Sequence, residues 1–455
     1  MFDNIIGQGA ADQIIQDIKN QCLAPAMLFE GPVFSGKGST ALELGRIFSC
    51  VNDAAWNCNC PSCARHRLLL HPDLLCLGNR PFSAEIAAAA SVCLAGKAGG
   101  NLTLFVRSIR KLLARFNPVL WEDEPKFSKL GPLLSSLEDG LDEIDALLKQ
   151  ETSNDNEASG GKSADAGKII ASIVKDAFKL ESDGIPDQIP VAWIRRAAWW
   201  SRLAPIGRRK LLLVENSDRM QEGARNCLLK LLEEPPDIVS LVLTSSKPKT
   251  LMPTILSRLR PYHFARRSAE TEKKVIRRIF RNENFMPDIP EKSGSPESLI
   301  GLYLDSFLPV PGEGLRALAA FFAASASYKS ALILKKKGIS NLPEELVLLG
   351  KFTSSLAGEA GLDKTSESRE TASRIMEGAL NFEIRSLFSR FNQYLLDLVL
   401  ESQKTSSMKV TVVNFLEIWR KCAGEAEDAV MVYNQGINLV LEQLFIKVSR
   451  GMAEI

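Results

Sequence analysis

A glycine-rich loop from residue 31 to residue 39 carries the clearest chemical signal in the sequence. Gly31, Gly36 and Lys37 fit the pattern G-x-x-x-x-G-K, in which backbone N–H groups cradle phosphate and the lysine neutralises its charge. The next position normally holds a serine or threonine hydroxyl that binds magnesium, and here it is Gly38, followed by Ser39. The sequence therefore predicts a degenerate Walker A loop that keeps its phosphate cradle and leaves binding of ATP and Mg²⁺ open.

A strand before this loop and a helix after it are needed to position these residues. Residues 26–30 form a short apolar run typical of a buried strand. Leu42, Ile47 and Phe48 have the spacing of one face of a helix over residues 39–50. This strand–loop–helix order favours a phosphate-binding loop over the alternative of a simple glycine-rich turn.

Polar residues also follow two later apolar runs, at 210–214 and 238–244, which we predict to be buried strands. In ATP-hydrolysing P-loop proteins, an aspartate at one strand end holds the metal and a neighbouring acid activates water. Here Glu215 is one methylene longer than aspartate, and the amide of Asn216 cannot accept a proton. Ser245 and Ser246 follow the second run, where an outer phosphate would lie. A catalytically inert, solvated strand end is the alternative interpretation.

Four of the nine cysteines lie close together in the chain, which is typical of a metal site. Thiolates at this spacing, among turn-forming residues, can surround a zinc ion, and no general base is nearby, so we predict a structural Zn²⁺. His66 and His71 are alternative ligands, and disulfides or idle thiols are the alternative to a metal. The predicted ligands are Cys50, Cys58, Cys60 and Cys63.

Composition limits the classes of function. A chain of 455 residues is longer than a typical single domain, so we expect two to four domains. The net charge is +2, from 56 basic and 54 acidic residues, so any contact with nucleic acid must use a local basic patch. We find no long apolar run and no signal-like start at Met1, so we expect a soluble, cytoplasmic protein with no membrane contact.

Several further motifs resemble the bacterial DNA polymerase III clamp-loader subunits, which belong to the AAA+ class. The resemblance rests on the run from Asn226 to Pro236, the run from Leu251 to Arg258, the cysteine cluster, and the short motifs at residues 2–8 and 71–73. Together they cover about the first 265 residues, apart from an insertion. The family implies a hetero-pentameric ring that uses ATP to load the β sliding clamp onto primer–template DNA, with gamma/tau and delta subunits as partners.

The resemblance also implies roles for single residues. Lys37 corresponds to the phosphate-binding lysine, Glu215 to the metal-holding aspartate, and Asn216 to the catalytic acid. Ser245 and Ser246 fall at the γ-phosphate sensor. Arg258 corresponds to the arginine finger, which acts in the neighbouring subunit's ATP site, although it could instead pair with Glu233 or Glu234. Two substitutions depart from the family: Phe34 replaces a loop glycine and Leu259 replaces a cysteine. Arg316 is a weaker candidate for a sensor arginine, with a solvated helix face as the alternative.

The predicted fold is an α/β P-loop AAA+ core with a small zinc module, followed by an all-α lid and an all-α collar. We assign residues 1–265 to the core, with zinc module 50–63 and a helical, partly disordered insertion at 79–187, then 266–343 to the lid and 344–455 to the collar. In the insertion, a basic stretch (102–116) and an acidic stretch (130–148) predict a helical hairpin. The alternative is that the basic face contacts DNA, although charge runs are usually solvent faces. Residues 151–167 are predicted to be a flexible tether.

Because the residues serving the chain's own site are altered while Arg258 is retained, the sequence most resembles the delta' subunit, a stator within the polymerase III holoenzyme rather than an ATPase by itself. A gamma/tau motor subunit is the alternative within the family. A zinc-dependent nucleic-acid-binding protein is the alternative outside it.

Overall fold

The protein forms two compact units. The structure, a computed structural model, describes residues 1–95, 99–122, 124–151, 159–186, 188–281, 298–308, 312–359, 362, 384–403, 410–431, 435 and 437–454. The first unit is Met1–Phe307 and the second is Leu308–Ile455. The segment predicted as a lid, 266–343, is therefore divided between the two units.

A parallel five-stranded sheet forms the centre of the first unit. Its spatial order is β2-β3-β4-β1-β5, so all carboxyl ends lie along one edge. β1 to β4 are almost entirely buried, which explains their continuous apolar sequences, whereas the edge strand β5 is mostly exposed. The predicted α/β core is confirmed. The strands are β1 (Ala26–Glu30), β2 (Leu74–Gly78), β3 (Lys210–Glu215), β4 (Val239–Ser245) and β5 (Arg260–His263).

Helices of the first unit flank this sheet and fill the insertion. Pro61 at the start of α3 and the Pro235-Pro236 pair after α10 limit these helices, since proline cannot continue a helix from within. The helices are α1 (Gly9–Lys19), α2 (Lys37–Ser49), α3 (Pro61–Arg67), α4 (Ser83–Ala95), α5 (Gly99–Leu113), α6 (Pro118–Trp121), α7 (Pro125–Glu151), α8 (Ser159–Gly184), α9 (Val191–Trp200), α10 (Glu222–Glu233), α11 (Pro253–Leu256), α12 (Ala269–Phe280) and α13 (Leu299–Asp305).

The insertion differs from its prediction in three ways. The acidic helix α7 pairs with α8, while the basic helix α5 packs mainly on α4, so the two do not form one hairpin. The predicted tether is helical from Ser159 onward, and residues 152–158 lie outside the described part of the chain. The basic side of α5 and the turn after it faces inward: Lys111 pairs with Glu85, and Arg115 is only 3% exposed. The predicted solvated or DNA-contacting face is therefore wrong for these residues.

The insertion is packed into the first unit. Ala88 and Val92 of α4 share an apolar cluster with Val275 and Ile276 of α12 and with Tyr303 of α13. Helix α4 of the insertion thus packs against α12 and α13, the helices that follow the sheet in the chain.

The second unit is mainly helical in its described residues. The five helices within that described part surround one apolar cluster centred on side chains such as Phe391, Phe415 and Trp419. One segment, Gly314–Lys336, is long and apolar enough to cross a membrane, an exception to the expected absence of such a run, but half of it is buried as in a core helix. The helices are α14 (Gly312–Lys336), α15 (Glu344–Glu359), α16 (Ile384–Ser402), α17 (Val410–Met431) and α18 (Ile437–Gly451).

Candidate functional site

The glycine-rich loop lies between β1 and α2, at the carboxyl edge of the sheet. The N–H of Gly31 donates to the carbonyl of Ser245 at the end of β4 (3.2 Å), which joins the loop to the neighbouring strand. Gly31 has φ of +145°, and a Cβ there would lie 2.1 Å from the carbonyl oxygen of Phe264, so only glycine fits. Gly36 is left-handed (φ +98°) and caps α2. The loop therefore has its backbone close to the neighbouring strands and leads directly into the N-terminus of α2.

Lys37 is folded back onto the loop. Its Nζ donates to the carbonyls of Gly31 (2.6 Å) and Pro32 (2.5 Å), and the side chain is buried. Burial lowers the pKa of Lys37 to about 8, against the opposing influence of Asp218 and Glu215. A lysine held in this way is positioned at the loop's centre, where its ammonium group can face an incoming phosphate.

The next two residues differ sharply in their surroundings. A Cβ on Gly38 would lie 2.4 Å from Oε1 of Glu215, so the carboxylate occupies the space that a serine or threonine side chain would need. Ser39 is exposed. Phe34 adopts a left-handed conformation (φ +59°) and its ring lies against Gly301 of α13. The structure thus places Gly38, and not Ser39, against the strand end.

Glu215 ends β3 as a buried carboxylate held by two arginines. Its Oε2 pairs with Arg115 from the turn after α5 and lies 3.4 Å from Nε of Arg80, which follows β2. Burial alone would raise the pKa of Glu215, but Arg115 and Arg80 hold it below its usual value. Sequence analysis missed both arginines as partners of Glu215, because they lie far from it in the chain.

The remaining predicted residues lie at the same edge of the sheet. Asn216 adopts a left-handed conformation, which asparagine tolerates, and its Nδ2 donates to the carbonyl of Asn79 (3.1 Å). The Ser245 hydroxyl donates to Oδ1 of Asp218 (2.6 Å), and Ser246 is half-buried beside it. Asp218 was not predicted as a site residue. Its place in the turn after β3 could have indicated it.

Arg267 was also missed and reaches the loop from the segment after β5. Its Nε donates to the carbonyl of Ile6 (3.0 Å), and Nη1 donates to the carbonyl of Phe34. Nη2 lies 2.7 Å from the point where a Cβ on Gly36 would be. Arg267 therefore covers the outer side of the loop.

Arg258 lies on the surface after α11. Its Nη2 pairs with Oε1 of Glu233 (2.9 Å) and its Nη1 donates to the carbonyl of Thr254 (2.8 Å). In the single chain, Arg258 therefore forms an ion pair with Glu233, one of the two alternative partners considered from the sequence. Arg316, in the second unit, pairs with Glu401 (2.8 Å) on an exposed helix surface.

The four clustered cysteines converge between α2 and α3. Their Sγ atoms lie within 4.8 Å of one another, and those of Cys50 and Cys58 are 3.6 Å apart. Tetrahedral zinc with Zn–S bonds of about 2.3 Å requires sulfur atoms about 3.8 Å apart. All four side chains are buried, and Nη1 of Arg46 donates to Sγ of Cys63 (3.0 Å), offsetting thiolate charge. The cluster therefore fits a structural zinc ion held by Cys50, Cys58, Cys60 and Cys63.

The two histidines considered as alternative ligands have other partners. His66 Nε2 lies 2.8 Å from the Ser49 hydroxyl, and His71 Nε2 lies 3.0 Å from the Ser62 hydroxyl. The two imidazoles stack on each other, and burial lowers the pKa of His66 to about 3. They support the module beside the cluster and are not part of the four-residue group.

Parts of the sequence are similar to known proteins. The sequence model of the family described as "DNA polymerase III, delta subunit" matches residues 142–268. The delta' subunit of Pseudomonas aeruginosa DNA polymerase III is 39% identical over 91 residues, which cover 20% of this chain and 28% of that protein. The gamma/tau subunit of Mycobacterium tuberculosis is 28% identical over 113 residues, covering 23% and 19%. A solved structure of a gamma-subunit-related protein from Thermotoga maritima is 19% identical and covers 58% of this chain and 81% of that one, with a TM-score of 0.27.

The parallel sheet, its glycine-rich loop and the buried cysteine cluster define an α/β protein with a four-cysteine group that fits a zinc ion. Over the matched stretches the chain is similar to DNA polymerase III clamp-loader subunits, and delta' and gamma/tau subunits are both among its relatives. The matched stretches span less than a third of those curated relatives' length.

Proposed function

We propose that this chain acts as a delta'-type stator, which lends a residue to a neighbour's ATP site and does not hydrolyse ATP itself. The observation that carries the proposal is the environment of Asn216. Its amide stands at the position of the catalytic acid and donates a hydrogen bond to the carbonyl of Asn79, so this side chain cannot take a proton from water. Gly38 offers no hydroxyl for Mg²⁺ at the facing position.

Arg258 is the residue that we propose to act in trans. A planar guanidinium suits the oxygens of a phosphate in a neighbouring subunit's site, as in other arginine fingers. Its pairing with Glu233 lies on the surface, where such ion pairs are worth about 0–1 kcal/mol. Exchange of Glu233 for a phosphate group would therefore cost little.

The partners follow from the same proposal. The chain would join gamma/tau and delta subunits in a hetero-pentameric ring that loads the β sliding clamp onto primer–template DNA in the cytoplasm. We assign the AAA+ core to residues 1–265, the lid to 266–343 and the collar to 344–455. The extensive apolar core of the helical second unit supports a role in packing and assembly.

A gamma/tau-type motor is the second candidate, and the geometry of Lys37 favours it. Its ammonium group is bound to the first two carbonyls of a well-formed loop, so the phosphate cradle persists. For that function, however, the chain would need an active acid and a metal ligand at the positions of Asn216 and Gly38.

ATP turnover by the isolated chain distinguishes the two. We expect negligible and equal rates for the wild-type chain and a Lys37→Ala variant. A rate that depends on Lys37 would contradict the stator and support the motor.

A further inference from the structure

The space beside Gly38 is filled by a carboxylate instead of a hydroxyl. Oε1 of Glu215 lies 2.4 Å from the place where a Cβ on Gly38 would be. No side-chain carbon can lie that close to an oxygen, so a serine or threonine at position 38 is incompatible with Glu215 in this position. Gly38 and Glu215 are therefore a matched pair.

The other oxygen of the same carboxylate binds a cation that belongs to the chain. Oε2 of Glu215 pairs with Nη2 of Arg115 and lies 3.4 Å from Nε of Arg80. Arg115 is 3% exposed, and both guanidinium groups also lie over the ring of Phe82. Arg80, at the start of the insertion, and Arg115, in the turn after α5, thus supply fixed positive charge at the carboxyl ends of β2 and β3.

The surroundings keep Arg115 in this position. The carbonyl of Arg115 accepts a hydrogen bond from Nε1 of Trp121 (2.8 Å), and the Phe116 ring stacks on that tryptophan. Phe116 also fits against Gly184, where a Cβ would lie 2.4 Å from the ring. The turn that carries Arg115 is therefore anchored by two helices of the insertion, α6 and α8.

A divalent cation in a P-loop site is bound by the hydroxyl at position 38 and, on its other side, by carboxylate oxygens at the strand end. Here the hydroxyl is missing and the carboxylate is already neutralised. We propose that the guanidinium of Arg115, held by Glu215 beside Gly38, takes the place of the divalent cation and excludes Mg²⁺ from this site. The proposal deepens the proposed stator function. Its role in a ring rests on that function, whereas exclusion of Mg²⁺ can be measured on the isolated chain.

The matched pair is tested by a double-mutant cycle. Gly38→Ser should lower the thermal midpoint of the full chain by several degrees, and the loss should shrink by at least half in a Glu215→Asp background, whose shorter side chain leaves room. Gly9→Ser is the matched control, since Gly9 also begins a helix and has no atom within 4 Å of the added carbon. Tryptophan emission reports mainly the first unit, which holds Trp56, Trp121, Trp193, Trp199 and Trp200. Additive effects of the two substitutions would overturn the pairing.

The exclusion of Mg²⁺ is tested with ATP at fixed zinc content. The midpoint of the wild-type chain with ATP should be the same with and without millimolar MgCl₂, whereas that of Arg115→Ala should rise when MgCl₂ is added. Arg115→Lys, which keeps a charge, should behave as the wild type does, and Arg110→Ala in the preceding helix α5 is the charge-matched control. A Mg²⁺-dependent rise in the wild type, or none in Arg115→Ala, would overturn the proposal. If Arg115→Ala does not fold, Arg115→Gln, which also removes the charge, takes its place in the same comparison. These experiments do not measure ATP turnover, so this proposal can fail while the stator proposal stands, and the reverse.

Discussion

Single atoms at the strand ends determine what the glycine-rich loop can do. Lys37 retains the position of a phosphate-binding lysine, bound to the loop's own carbonyls. At the facing strand, the carboxylate of Glu215 is tied to Arg115 and the amide of Asn216 to a backbone carbonyl. A positive charge therefore remains at the loop, while the Glu215 carboxylate is engaged in an ion pair and Asn216 has no carboxylate. We expect these residues to act in holding the subunit's shape more than in chemistry.

The zinc cluster gives a prediction for one residue. Cys63→Ser removes a buried thiolate from the group of four, so we expect the zinc content to fall from about one ion per chain to near zero and the thermal midpoint of the first unit to fall with it. Metal analysis and a melting curve make the measurement. Cys22→Ser is the control, because Cys22 is an exposed thiol outside the cluster. Zinc retained in full by Cys63→Ser would contradict the assignment.

Local patterns predicted the helices and strands around the loop well. The buried runs that became β1, β3 and β4 are recognisable because parallel strands bury both faces. The cysteine cluster was predictable from spacing alone. The pairing of α7 with α8 was not, because two amphipathic helices of opposite charge can pack on several partners and the sequence does not say which. The inward direction of Arg115 was missed for a related reason: its partner, Glu215, belongs to a strand a hundred positions further on.

The α7–α8 pair gives a prediction at its closest contact. A Cβ on Gly140 of α7 would lie 2.8 Å from Ile173 of α8, so Gly140→Val should push the helices apart and cost about 1–3 kcal/mol. Hydrogen exchange of the amides of α8 would detect the loosening. Gly131→Val, in the same helix with no neighbouring atom within 4 Å, should have a clearly smaller effect. Equal exchange rates in the two variants would show that the helices do not pack there.

The whole chain combines a unit built on a parallel sheet with a helical unit that has its own apolar centre. The net charge of +2 leaves no overall bias toward DNA, which agrees with a subunit that reaches DNA through a complex. In the proposed ring, the surface position of Arg258 matters more than the chain's own loop. Its exposed pairing with Glu233 leaves the guanidinium accessible to another subunit.

Steady-state ATP hydrolysis by a reconstituted clamp-loader complex tests this account most directly. We expect a complex built with Arg258→Ala to lose activity by about tenfold or more while still assembling, because an arginine finger stabilises transition-state charge. Complexes with Lys37→Ala, or with the exposed control Arg202→Ala, should hydrolyse ATP at the wild-type rate. A large loss with Lys37→Ala and none with Arg258→Ala would contradict the stator and show that this chain is itself a motor.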